Sequence, residues 1–320
     1  MFSVPDQFRL WAPNAVEHAS RAFSEWRPDI IYASGPPHSA FLVAARLAKL
    51  WAVPWVAEYR DLWTDHPYYD MPFWRRWIDR RLETATMRSV AGYVTVTRTW
   101  ADWLRRRGKP VALAMNGFDP ADYAAQPPTP APGGEDGLTI LYGGAFYGRK
   151  RDPTPLFEAL LRLGEAARQV RVSIYSGDAR QALAAAERAG VAGQVTLHRS
   201  IPRAEMLRLE QEADILLLPR WDDPREDSVI AGKLFEYIGA RRPILSVGRT
   251  EGEAADIIRQ NRFGLVSNDP GEIAEFLQRA LAIGAEAACA YDPQKAEVFR
   301  RERQFETVES FLATAVGRGK

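Results

Sequence analysis

Lys233 and Glu236 stand three residues apart in "REDSVIAGKLFEYIGARRPIL" (225–245), just after the apolar run "ADILLLP" (213–219). A helix is expected from about Gly232, and at that spacing both side chains share one of its faces. A lysine in the first turn opposes the positive end of the helix dipole unless an anion binds beside it. There its ammonium reaches phosphate oxygens, while the Glu236 carboxylate accepts two hydroxyl hydrogen bonds, as a ribose diol offers. The alternative is a surface Lys–Glu pair worth ~0.3–0.5 kcal/mol. A second stretch, "GGAFYGRKRDP" (143–153), follows another apolar run. Gly143 and Gly144 let the backbone turn tightly and approach a ligand. Arg149, Lys150 and Arg151 then suit a diphosphate, or form a solvated basic turn. The stretch is neither a Walker loop nor a G-x-G-x-x-G fingerprint.

The first half holds a different cluster. "EYRDLWTDHPYYD" (58–70) gathers Glu58, Arg60, Asp61, Asp65 and His66 among aromatics. It reads as an acceptor-side site, or as an Arg–Asp pair that stiffens a loop. In "YASGPPHSAF" (32–41), Ser39 is the expected helix cap, and His38 is either an acceptor-side group or a surface residue. No Cys/His cluster has zinc spacing, and no Ser, His and Asp order suggests a nucleophilic triad. Residues 71–109 hold ten Lys or Arg against the acids Asp79, Glu83 and Asp102, with Trp74, Trp77, Trp100 and Trp103 interleaved. Three readings fit this region. It forms two amphipathic helices whose Trp faces turn inward, or it docks on anionic lipid, or it binds nucleic acid. The net charge of +1 gives no global push toward nucleic acid, so none is expected as a partner.

These residues need elements to position them. Four apolar, β-branched runs precede a Pro/Gly-rich stretch at 126–137: 29–34, 55–59, 92–97 and 111–116. Six follow it: 138–144, 170–176, 195–199, 213–219, 243–248 and 263–267. Helix-like segments separate them, which means parallel βαβ units and an α/β fold. The expected division is a domain at 1–125, a linker at 126–137, a second domain at 138–295, and a C-terminal helix at 296–320. That helix carries a stripe of Val298, Phe305, Val308 and Leu312 and either caps one of the domains or crosses back to the first. With 320 residues, two domains are favoured over one. The single cysteine, Cys289, leaves no internal disulfide and suits a reducing cytosol. The start, "MFSVPDQFRL", lacks the pattern of a signal peptide. No apolar run approaches the ~20 residues of a membrane helix, so a cytoplasmic protein is expected, with peripheral contact at the inner face of the membrane as its only membrane association.

The run "SVIAGKLFEYIGARRPIL" (228–245) resembles the donor-site signature of the retaining glycosyltransferases of the GT-B fold, family 4. "PDIIYAS", "PWVAEYRDLW", "MNGFD", "LYGGAFYGRK" and "EQEADILLLP" occur in the matching order, so the resemblance covers nearly the whole chain. It implies two Rossmann-like, doubly wound parallel-sheet domains facing a cleft. It also implies an N-terminal domain abridged at its start, since members usually begin well upstream. The implied activity is sugar transfer from a nucleoside-diphosphate sugar to a saccharide or lipid-linked saccharide, with retention. Such transfer serves cell-surface polysaccharide or glycoconjugate synthesis and uses no metal or cofactor. By the resemblance, Glu236 holds the ribose, and Lys233 with Arg149 to Arg151 neutralises the diphosphate. Main chain around Arg199, Ser200 and Ile201 flanks the base. Ser228 stands where many members carry a second Glu that touches the sugar, which leaves the donor sugar open. Arg60, followed by Asp61, stands where many have a His, and both shape the acceptor side. Two rivals remain at this level. One is a catalytically weak or inactive nucleotide-sugar-binding module. The other is a further GT-B enzyme, such as an epimerase or a pseudo-glycosyltransferase.

Overall fold

The computed structural model describes residues 4–123, 137–148 and 150–319. Most of the Pro/Gly-rich stretch at 126–137, and Arg149, therefore lie outside the described residues. In chain order the elements of the first part are α1 (Trp11–Ala22), β1 (Ile31–Gly35), α2 (Ser39–Trp51), β2 (Trp55–Tyr59), α3 (Phe73–Met87), β3 (Gly92–Thr95), α4 (Arg98–Arg105) and β4 (Val111–Leu113). There follow β5 (Leu138–Gly143), α5 (Thr154–Leu163), β6 (Val170–Tyr175), α6 (Arg180–Arg188), β7 (Val195–His198), α7 (Arg203–Glu212) and β8 (Ile215–Pro219). The last are α8 (Gly232–Ala240), β9 (Ile244–Val247), α9 (Glu253–Gln260), β10 (Gly264–Val266), α10 (Pro270–Ile283), α11 (Ala285–Ala288) and α12 (Arg301–Gly319). Each apolar run expected as a strand forms one, with ends that differ from the expected ones by at most three residues, the largest change being at β4.

The chain divides into two compact units. One joins Met1–Met115 with Glu302–Lys320, and the other is Asn116–Arg301. In the first, parallel strands lie in the order β1-β2-β3-β4, with Ile31 opposite Trp55, Val56 opposite Gly92 and Tyr93 opposite Val111. Val56, Val94, Ala112 and Ala114 pack against Val308 and Ala315 of α12, with Phe311 and Leu312 partly buried beside them. Val298 and Phe305, expected on the same apolar stripe, are exposed instead. Val298 precedes the helix, in the 3-10 turn Pro293–Phe299, and Phe305 precedes the part of α12 that reaches the core.

Two expectations in this unit are corrected. Ser39 does not cap α2: it is the first helical residue, and its amide and hydroxyl both donate to the carboxylate of Asp6, at 2.8 and 2.6 Å. A carboxylate brought from far along the chain satisfies the helix end better than a short hydroxyl already inside it. The inward-facing reading of the tryptophans holds for Trp100, which is buried, and fails for Trp74 and Trp77, which are exposed. The cause is that α3 turns its polar stripe inward. Arg75, Asp79 and Glu83, four residues apart, are all buried. Asp79 accepts from Arg75 Nε (2.7 Å), the Tyr69 hydroxyl (2.5 Å) and Trp63 Nε1 (3.3 Å). Glu83 accepts from the Tyr59 hydroxyl (2.9 Å), Thr64 Oγ1 (2.6 Å) and Arg107 (2.8 Å). With every buried charge partnered, the opposite face is left with Phe73 (86% exposed), Trp74, Trp77 and Ile78.

The second unit has parallel strands in the order β10-β9-β8-β5-β6-β7. Chain direction across the sheet reverses between β5 and β8, which makes that gap the topological switch point of a doubly wound sheet. β8 is buried along its whole length, as helices on both faces of a parallel sheet require. Ile140, Tyr142, Val172, Ile174, Ile215, Leu217 and Leu245 of the sheet join Phe157, Leu160, Phe276 and Leu277 of α5 and α10 in one core. α10 starts on Asp269, whose carboxylate accepts from the Gly271 and Glu272 amides, with Pro270 at the first helical position.

Candidate functional site

A pocket of about 620 Å³ opens at the carboxyl ends of β5, β6 and β7. Gly143 and Gly144 line it from the turn after β5, and Ser200 and Ile201 from the turn after β7. Lys233 and Glu236 line it from the first turns of α8. Open α/β sheets bind ligands at this edge, at the switch point. The turn after β5 must lie close to its neighbours. A Cβ at Gly143 would meet Met206 Sδ at 2.5 Å, and one at Gly144 would meet Lys233 Cε at 3.4 Å. Asp178 fastens the same turn, accepting from the amides of Phe146 (3.0 Å) and Tyr147 (3.1 Å) and from Ser176 Oγ (2.7 Å). Burial pushes the Asp178 carboxyl up, but these donors outweigh it and hold it below the ordinary carboxylate value.

Lys233 Nζ lies 3.2 Å from Glu236 Oε2 and 3.3 Å from Glu210 Oε1, with its side chain 18% exposed. It also stands 5.4 Å from the ring centre of Tyr237. Arg203 joins the group from the start of α7. It holds Asp122 at 2.8 Å and lies 3.4 Å from Glu236 Oε1. The Tyr123 hydroxyl donates to the Glu236 carbonyl at 2.9 Å. Gly239 allows this, since a Cβ there would meet the Tyr123 ring at 2.7 Å. Glu210, from the inward face of α7, is fully buried, and its Oε2 has no hydrogen-bond partner. Burial pushes its carboxyl up to about 7, Lys233 pulling it down and Glu236 pushing it further up. The arrangement offers an ammonium, a guanidinium and the amide end of a helix to an anion, and a carboxylate to hydroxyl groups beside it.

The sequence candidates fall into three sets. Gly143, Gly144, Ser200, Lys233 and Glu236 come together around the pocket. Lys150 and Arg151 lie elsewhere. Lys150 stands 4.7 Å over the Trp221 ring, and Arg151 stands 4.6 Å over Tyr147 and lines a neighbouring hollow with Arg188. Ser228 ends the 3-10 turn Pro224–Ser228, outside the pocket lining. The acidic loop around it is structural. Asp227 takes Arg249 in a two-pronged pair at 2.7 and 3.0 Å, and buried Arg220 donates to the carbonyls of Arg249, Glu251 and Glu226. Glu210, Arg203, Asp178 and Tyr123 were missed by reading the sequence. Only Glu210 left a signal: it falls three residues after buried Leu207, on the face where an apolar side chain would be expected.

The acceptor-side candidates lie at the carboxyl edge of the other sheet. Glu58 and Arg60 flank Tyr32, whose hydroxyl burial and the Glu58 carboxylate raise above its ordinary value. Asp61 Oδ1 lies 3.2 Å from His66 Nε2, and His66 Nδ1 accepts from the Tyr68 amide at 3.1 Å. His38 stacks on Trp63 at 5.2 Å, with Nε2 3.4 Å from the Asp61 carbonyl. Burial holds its imidazole below the ordinary value. The structure thus gathers His38, Asp61 and His66, and places Glu58 and Arg60 beside Tyr32. Among the described residues no group of three or more His, Cys, Asp or Glu side chains is arranged to hold a metal ion.

The glycosyl transferase 4-like domain family matches residues 2–117, and the glycosyl transferases group 1 family matches residues 137–282. Solved structures agree. Sucrose-phosphate synthase from Thermosynechococcus elongatus is 15% identical, with a TM-score of 0.69 over 99% of this chain and 81% of that one. Anabaena HepE in complex with UDP is 14% identical, with a TM-score of 0.69 over 93% of this chain and 82% of that one. The lipopolysaccharide outer core galactosyltransferase WaaB is 16% identical, with a TM-score of 0.63 over 98% of this chain and 82% of that one. A comparison with curated protein sequences gave no match. With both halves matched, and two parallel-sheet units of the expected kind, the chain belongs to the family 4-like glycosyltransferases of the GT-B fold.

Proposed function

We propose that the protein transfers a sugar from a nucleoside-diphosphate sugar to a hydroxyl of a saccharide or lipid-linked saccharide, with the anomeric configuration retained and without a metal ion or cofactor. The observation that carries this reading is the pocket in which Lys233, Arg203 and the start of α8 meet Glu236. Lys233, Arg203 and the helix amides take the diphosphate, and Glu236 takes the ribose hydroxyls. In the transfer, the bond from the anomeric carbon to the diphosphate oxygen breaks as the acceptor oxygen attacks from the same face. The acceptor proton passes to the leaving phosphate. Positive groups fixed where that charge develops lower the barrier without reorganising. The carboxylates that line the pocket are already engaged, Glu236 by Lys233 and Arg203, and Asp178 by the β5 turn. That favours transfer with no covalent sugar–enzyme intermediate. The complexes of HepE with UDP and with UDP-glucose support a nucleotide-sugar donor, and WaaB supports a place in cell-surface saccharide synthesis.

The outward face of α3 supports a cytoplasmic protein docked on the inner face of the membrane. Phe73, Trp74, Trp77 and Ile78 are exposed there together with Arg76, Arg80 and Arg81, while the acids of the helix, Asp79 and Glu83, are buried. Such a face suits an anionic lipid surface. No helix of the described residues is long and apolar enough to cross a membrane. The test is to incubate the purified chain with UDP-, GDP-, ADP-, CDP- and TDP-sugars and follow release of the nucleoside diphosphate. Release from one donor, lost in Lys233→Ala and Glu236→Ala, supports transfer. Tight binding without turnover would make the protein a binding module, and a changed sugar still attached to its nucleotide would make it an epimerase.

A further inference from the structure

Glu210 does not line the pocket, yet it sits beneath the lysine proposed to meet the diphosphate. It is fully buried on α7, reaches Lys233 Nζ at 3.3 Å with Oε1, and leaves Oε2 without a partner. The ionisable groups around it are Lys233, Glu236 and Tyr237 of α8, Arg203 at the start of its own helix, and Tyr123. While Glu210 is ionised, two carboxylates already balance Lys233. A diphosphate then adds negative charge to a lysine with none to spare, next to a carboxylate shielded from water. Like charges that close, in a poorly polarisable interior, cannot both stay ionised cheaply.

Resting on the donor site described above, we propose that Glu210 is a positioning residue that fixes Lys233 before the donor arrives and takes up a proton from solvent when a diphosphate binds. The proton goes to the unpartnered Oε2. The neutral carboxyl then leaves the full charge of Lys233 to the phosphate oxygens while still steering its ammonium. Burial has already pushed this carboxyl up to about 7, so the step needs only a modest further push.

The test is isothermal titration of the full chain with UDP, GDP, ADP, CDP and TDP in turn, at pH 7.5, in buffers of different ionisation enthalpy. The dissociation constant is followed from pH 7 to pH 8.5. The wild type takes up a large fraction of a proton on binding, and its dissociation constant rises toward tenfold per pH unit above neutrality. Glu210→Gln, neutral and of the same shape, binds without that uptake and with a flatter pH profile. Equal proton uptake and equal pH profiles in wild type and variant would overturn the proposal. So would the absence of uptake by the wild type alone, which decides the matter even if the variant does not fold. If none of the five diphosphates binds the wild type, the donor-site reading itself has failed, and this proposal with it.

Discussion

At the scale of single residues, the second unit places one acid where its sequence would put an apolar side chain. Glu210 has a carboxyl pushed up to about 7 by burial, against an ordinary 4.5. The folded chain therefore keeps this proton to higher pH than the unfolded chain. Between those values the unfolded state binds fewer protons, so stability falls as pH rises from about 4.5 to about 7 and is fully retained below that window. Glu210→Gln lacks this titration. Its stability relative to wild type should grow across the window by on the order of 3 kcal/mol. Urea unfolding at pH 5 and pH 8 checks it, and parallel curves at both values would contradict it. The ribose and diphosphate candidates Glu236 and Lys233 were legible in the sequence because three residues of helical spacing fix their shared face. Glu210 was not, because only the packing of α7 on α8 shows that its carboxylate meets a lysine 23 residues away.

At the scale of elements, the strands were legible for a simple reason. Strands buried on both faces of a parallel sheet are short, continuous apolar runs, and turn residues punctuate them. The orientation of α3 was not legible. Its sequence carries an apolar stripe and a charged stripe, and the usual rule turns the apolar one inward. Here Asp79 and Glu83 find Arg75, Arg107, Tyr59, Thr64 and Tyr69 inside, so the charged stripe is the buried one. The exposed face should carry vesicle binding. The wild type is expected to sediment with phosphatidylserine-rich vesicles and not with phosphatidylcholine vesicles, more weakly as salt rises. Trp74→Ala with Trp77→Ala should abolish sedimentation while leaving the unfolding midpoint within a degree or two. Sedimentation unchanged by the double substitution would remove α3 from the contact. The cap of α2 gives a second test. Asp6→Ala removes the carboxylate that holds both groups of Ser39, and should cost ~1 kcal/mol in stability. Ser39→Ala loses one hydrogen bond and should cost less than Asp6→Ala, an order that the reading of Ser39 as the cap would reverse.

At the scale of the whole molecule, the chain is two parallel-sheet units, and the donor candidates belong to one of them. Hydrogen exchange should report this division. A nucleoside diphosphate is expected to protect amides at 143–145, 177–178, 200, 201, 203 and the start of α8, leaving the sheet of β1 to β4 with its own rates. Protection centred on residues 58–66 instead would move the nucleotide to the other unit. The most direct single measurement is thermal unfolding of the full chain with UDP, GDP, ADP, CDP and TDP, repeated with Lys233→Ala and Glu236→Ala. A ligand at a hundred times its dissociation constant adds ~2.7 kcal/mol, a shift of a few degrees in a chain of this size. One nucleotide should raise the midpoint by that amount, and both substitutions should abolish the rise. No shift with any nucleotide, or a shift that survives both substitutions, would contradict the donor site at the start of α8.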